Sequence, residues 1–210
     1  MMGIYIAGDS GAYLNPAVTF ANCLFRGLPW RQFPVTVFAQ FLGAFVGTGL
    51  IYANYIPSID NFSGHGVRAV APAPQATASI FATYPQTFVP RTSQVFSIII
   101  PSAIVTTVIS ALKDDYNNGV SKAGGNFFPL LTFFLFYGIA IAFGFETGYV
   151  TFDHIIWRPK ILTGSTSGAT NPALDFAGRL MSNIVGYPSE VWSAGGYYFW
   201  VSNHMIGSLV

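Results

Sequence analysis

The chain has 210 residues, of which 52% are hydrophobic and only 8% charged, with a formal net charge of +1. A soluble domain carries about 25% charged residues, so the composition excludes one and points to a single membrane domain over residues 1–210. The near-zero charge gives no reason to expect nucleic acid or an acidic substrate, and the lone Cys23 leaves no intrachain disulfide.

Met1 to Ala7 is apolar but too short for the h-region of a cleavable signal peptide. Gly8-Asp9-Ser10-Gly11 follows and looks like the nucleophile loop of trypsin-like serine proteases. That chemistry needs a His base oriented by a buried Asp. His65, His154 and His204 all come after the serine with no β pattern around them, so the protease reading is set aside.

Leu14-Asn15-Pro16-Ala17-Val18 comes next and has a counterpart near the end, Thr170-Asn171-Pro172-Ala173-Leu174, each preceded by Ser-Gly-Ala and followed by an apolar run. Asn is a preferred N-cap, and Pro suits the first helical position, where its missing N–H would be unpaired anyway. Each box therefore predicts a helix start, the first helix running Pro16 to Phe25 and ending at Arg26-Gly27-Leu28-Pro29.

Between the boxes lie three uncharged stretches, Phe33 to Ile59, Thr92 to Leu112 and Ala123 to Phe145. Each reaches the roughly 20 residues that cross a bilayer. Three crossings put the boxes on opposite sides, so the two helices read as half-helices entering from opposite faces. Irregular backbone at that depth requires a cavity or surrounding protein. Arg26 and Arg31 flank the first span and suggest a cytoplasmic side there. Gly43 and Gly47 within it are either a close-packing pair of small residues or simply tolerated glycines. Pro57 to Arg91 reads as a loop on the opposite side, carrying the sequon Asn61-Phe62-Ser63. Pro101 predicts a kink in the second span, and Lys113 to Gly125 a cytoplasmic loop.

These residues resemble those of the aquaporin (major intrinsic protein) family. Ser10 to Thr19 is similar to its first signature, Pro29-Trp30-Arg31 leading into Ala39 to Ala44 to its third span, and Thr147-Gly148-Tyr149 with Asn171 to Phe176 to its second signature in the glycerol-permeating, fungal-type branch. The resemblance implies an all-α membrane protein: an aquaporin-like right-handed helical bundle with two re-entrant half-helices. Met1 to Ala7 would be the tail of the second span, so that the first span and most of the second are missing, either because this is a fragment or because the start is assigned downstream. The end, after Tyr197 to Val201 opens a last span carrying His204, looks truncated as well. Family members have an acidic residue near Phe96 to Ser102, and this chain has none there. Val150 to Gly168, with Asp153, His154, Arg158 and Lys160, interrupts the second signature and reads either as an unspliced intron translated in frame or as an unusual outer loop.

The implied function is a passive, non-enzymatic channel for water, glycerol and similar neutral solutes, needing no cofactor or metal. It would sit as a multi-pass protein in the plasma membrane or an internal membrane, surrounded by lipid, as a homotetramer. The two positive half-helix ends would meet at the pore centre and repel cations and protons. By resemblance the pore is lined by Asn15, Pro16, Ala17, Asn171, Pro172 and Ala173, with Tyr149 as the aromatic of the filter and Ala140 as a small pore-facing residue. The arginine of the filter would stand at Leu174, a departure that removes both a donor fork and a charge. Arg179, five positions further, is too far along the helix to replace it. Asp175 is either a filter residue typical of the glycerol branch or an acid favoured in a helix's first turn. Two alternatives remain: an inactive truncated or mis-spliced product, and a secondary transporter with broken helices, against which the absence of ionisable residues in the three spans argues.

Overall fold

The computed structural model describes residues 2–85, 88–114, 116, 127–147, 170–194, 207 and 209. Tyr149, the segment Val150 to Gly168 and the C-terminal span with His204 lie outside the described residues. Within them the chain forms six α-helices and no strand: α1 (Met2–Ile6), α2 (Pro16–Phe25), α3 (Gln32–Ser63), α4 (Arg91–Leu112), α5 (Phe128–Thr147) and α6 (Pro172–Ile184), with single 3-10 turns at Gly8–Ser10, Ala78–Ile80 and Ser189–Trp192.

Length sorts these helices. At 1.5 Å per residue, α3, α4 and α5 run for about 48, 33 and 30 Å, enough for a hydrocarbon core, whereas α2 and α6 reach only about 15 and 20 Å. The predicted spans and the predicted first half-helix are therefore present; α3 and α4 are also apolar enough to cross a membrane. α3 packs along α6 and α4 along α5, while α2 touches α3, α4 and α6 and holds the two pairs together.

The direction of each half-helix follows from its far end. α2 ends beside the start of α3, where Phe20, Trp30 and Phe33 form edge-on ring contacts at 5.8–6.0 Å. Arg26, capping α2, donates to the carbonyls of Ser110 and Lys113 at the end of α4, both at 2.9 Å. α6 instead runs toward the far end of α3, where Ile59, Val70, Ala78, Phe81, Ala82, Tyr84, Tyr187, Val191 and Ala194 form a core. The half-helices thus start near the middle of α3 and leave in opposite directions.

Two expectations need correction, and one open alternative is narrowed. The loop expected from Pro57 begins later, because α3 continues through Pro57 to Ser63. The proline removes one N–H, but Ile59 is fully buried and Asp60 pairs with Arg68 at 2.7 Å, so tertiary contacts hold the turns beyond it. The sequon Asn61-Phe62-Ser63 is consequently the last turn of a helix, and the Ser63 hydroxyl is buried and donates to the Gln75 carbonyl at 3.0 Å. Of the two readings left open for Gly43 and Gly47, close packing finds no partner among the described residues. A Cβ at either would meet nothing within 4 Å, and both line the central cavity. The close helix approaches are elsewhere: a Cβ on Gly49 would meet the Met181 methyl at 2.9 Å, and one on Gly178 would strike the Phe81 carbonyl oxygen at 1.8 Å.

Candidate functional site: two opposed half-helices on one cavity

Both boxes fold as their residue order dictates. Asn15 and Asn171 are extended, at φ −147° and −134°, and each side-chain oxygen accepts from the backbone N–H two residues on, Ala17 at 2.9 Å and Ala173 at 3.1 Å. Pro16 and Pro172 open the helices. The amide nitrogens reach across. Asn15 Nδ2 donates to the Thr170 carbonyl at 2.6 Å, and Asn171 Nδ2 donates to the Leu14 carbonyl at 2.9 Å. Each asparagine therefore caps its own helix and ties down the lead-in to the other. Leu14 has a positive φ of 51° and Ala12 one of 47°, a conformation costing about 1–3 kcal/mol per non-glycine residue; at Leu14 the reciprocal bond helps to hold it. Behind Asn15, the Thr19 hydroxyl donates to the Asn15 carbonyl at 2.9 Å, and Gln40 Nε2 of α3 donates to that hydroxyl at 2.8 Å.

The paired N-termini carry about +0.5 charge each, and their asparagines face one cavity of about 890 Å³. α3 contributes a strip from Ala39 to Ile51 and α5 one from Phe128 to Ala140, each about 18 Å long at the helical rise. The lining has two characters. Asn15, Asn171, Gln40, Thr48 and Thr132 supply polar atoms, while Phe128, Phe133, Phe136 and Tyr137 supply aromatic surface. No carboxylate is among the described lining residues, and Lys113 is the one Lys or Arg.

Of the residues singled out from the sequence, Asn15, Asn171, Ala173, Leu174 and Ala140 lie on the cavity. Pro16, Ala17 and Pro172 are buried and stand behind the lining rather than on it. Asp175 also points away. It is fully buried and accepts from the Thr83 N–H at 2.7 Å and from Arg179 Nε at 2.8 Å, so its filter reading gives way to a structural one. Arg179 is equally buried, donates to the Val191 and Thr83 carbonyls and lies 4.6 Å over the Tyr84 ring. It braces α6 against the outer segments and does not replace the cation missing at Leu174. Tyr149 lies outside the described residues.

Sequence reasoning missed Gln40 and Lys113. Lys113 Nζ donates to the Gly11 carbonyl at 2.9 Å and lies 5.0 and 5.1 Å from the ring centroids of Tyr13 and Phe128. Burial, and then the nearby Arg26 charge, lower its pKa below the usual lysine value. The one available signal was its place directly after an uncharged span, which also fits any lysine at a membrane surface.

Two short capped helices that start at one cavity and run in opposite directions define a class, the membrane proteins with re-entrant half-helices. The sequence model of the family described as "Major intrinsic protein" matches residues 1–210, and the chain belongs to that family; it is an integral, multi-pass membrane protein. It is 47% identical over 202 residues to "Probable aquaglyceroporin-2" of Gibberella zeae, an alignment covering 96% of this chain and 53% of that protein. It is 46% identical to "Aquaglyceroporin-9" of Botryotinia fuckeliana, covering 96% of this chain and 39% of that one. The chain thus spans about half the length of these relatives or less. Among solved structures it resembles the aquaglyceroporin from Plasmodium falciparum, with a TM-score of 0.70 and 26% identity, covering 97% of this chain and 71% of that one.

Proposed function

We propose that the protein is a passive channel for glycerol, water and similar small neutral solutes. The observation that carries this reading is the reciprocal pair of bonds from Asn15 to Thr170 and from Asn171 to Leu14, which fixes two positive helix ends against one cavity. A polyol has hydroxyls along one edge and C–H groups along the other. The cavity offers asparagine amides and hydroxyls together with a wall of phenylalanines, so such a solute is matched on both edges, in the way selective sites combine apolar lining with a few placed polar groups. The names of the two fungal relatives support the same solute class. Leu174, where the family pattern has arginine, puts an apolar, uncharged side chain on the lining there, which suits the C–H edge of a polyol.

Pore roles for Asn15, Asn171, Ala173, Leu174 and Ala140 belong to this proposal, as does assembly into a homotetramer. The outward stripe Val35, Phe38, Leu42, Val46 and Leu50 of α3 is exposed in the single chain and suits lipid or a neighbouring copy. The test is glycerol entry into liposomes holding the full-length protein, followed by light scattering. Flux well above that of protein-free vesicles, unaffected by ion gradients, is expected. Flux at the protein-free level would favour the inactive product, and flux that follows an ion gradient would favour a coupled transporter.

A further inference from the structure

A channel with leucine at position 174 lacks the cation that the family pattern places there, and the two helix N-termini at the centre supply only partial positive charge. Arg179 does not replace that cation, being buried in its pair with Asp175. Lys113 is the one cationic side chain among the described residues lining the cavity. It follows the last residue of α4, on the face where α2 ends, so it guards the mouth opposite to the half that holds Leu174. Its position is fixed twice. Arg26 binds its carbonyl oxygen at 2.9 Å, and the ammonium group is held by the Gly11 carbonyl between the rings of Tyr13 and Phe128. A fixed charge beside low-dielectric walls repels like charge more strongly than in bulk water.

We propose that Lys113 is a selectivity residue of this channel: its ammonium group excludes cations at the end of the cavity where α2 ends, without taking part in the binding of neutral solutes. This rests on the channel reading above. It assigns the charge barrier to the opposite end of the path from the one the missing arginine would occupy. Tyr13 and Phe128 are positioning residues, setting where the ammonium sits without supplying charge.

The experiment compares the full-length protein with Lys113→Met, Lys113→Gln and Lys113→Arg in liposomes, reading glycerol flux by light scattering and potassium leak with an entrapped indicator. Glycerol flux within about threefold of wild type reports an intact pore, and the glutamine variant keeps a donor for Gly11 should methionine disturb folding. The expected result is a potassium leak raised by about tenfold or more in the Met and Gln variants, equivalent to roughly 1.4 kcal/mol of barrier, with Arg remaining tight. Glycerol flux in wild type combined with no added leak in the Met and Gln variants would overturn the role of Lys113 and leave the channel reading standing. An Arg variant that leaks as much as Met would overturn it too, because packing rather than charge would then be at stake. Absence of glycerol flux in wild type would overturn the channel reading, and this proposal with it.

Discussion

At the scale of single residues, the wall of the cavity separates groups that line it from groups that hold it in place. Leu174 and Asp175 are neighbours in sequence, yet one faces the cavity and the other is sealed behind it. Leu174→Arg should bring a fork of donors and a charge to the cavity; we expect glycerol flux to fall about tenfold relative to water, a cost of ~1.4 kcal/mol. An unchanged ratio in paired osmotic assays would show that Leu174 does not border the path. Arg179→Met should act differently, leaving the Asp175 carboxylate buried without its ion-pair partner, at a cost of about 3–5 kcal/mol in stability. Denaturation in detergent micelles measures this, and a loss under about 1 kcal/mol would mean that the pair is not closed off from water as the structure has it. The sequence made Leu174 legible because a signature position is defined by its distance from Asn171. It left Asp175 undecided, because an acid in a helix's first turn fits a filter and a dipole equally well. What decides it is the Thr83 N–H, 92 positions away in the chain, a partner no local pattern can indicate.

At the scale of elements, the two half-helices are coupled through their caps. Losing an N-cap asparagine alone costs about 1 kcal/mol. Here each asparagine also bonds the residue that leads into the opposite box, so Asn15→Ala should loosen the seat of Asn171 and the reverse. The double variant should be less destabilised than the sum of the singles, with a coupling of about 0.5–3 kcal/mol, the range for residues in one hydrogen-bond network. Strict additivity in thermal melts would mean two independent caps. The helix starts and the span lengths were readable from the sequence, since Asn-Pro caps and uncharged runs are local signals. The end of α3 was not, because Pro57 is a local stop signal overridden by the burial of Ile59 and the Asp60–Arg68 pair. The roles of Gly43 and Gly47 were not readable either, since a small-residue repeat looks the same whether it meets a helix or widens a cavity.

At the scale of the whole molecule, the central claim is that α2 and α6 enter from opposite faces and turn back without crossing. Side assignments follow from that. Arg31, after α2, and Tyr116, after α4, belong to one face; His65, after α3, and Glu190, after α6, belong to the other. All four are exposed, and the native Cys23 is buried, so single cysteines at these positions can be read against a low background. The most direct measurement is labelling of Arg31→Cys, His65→Cys, Tyr116→Cys and Glu190→Cys with an impermeant maleimide in intact and permeabilised cells. His65→Cys and Glu190→Cys should label together from one side, and Arg31→Cys and Tyr116→Cys together from the other. Labelling of Glu190→Cys from the same side as Tyr116→Cys would make α6 a full crossing and would contradict it.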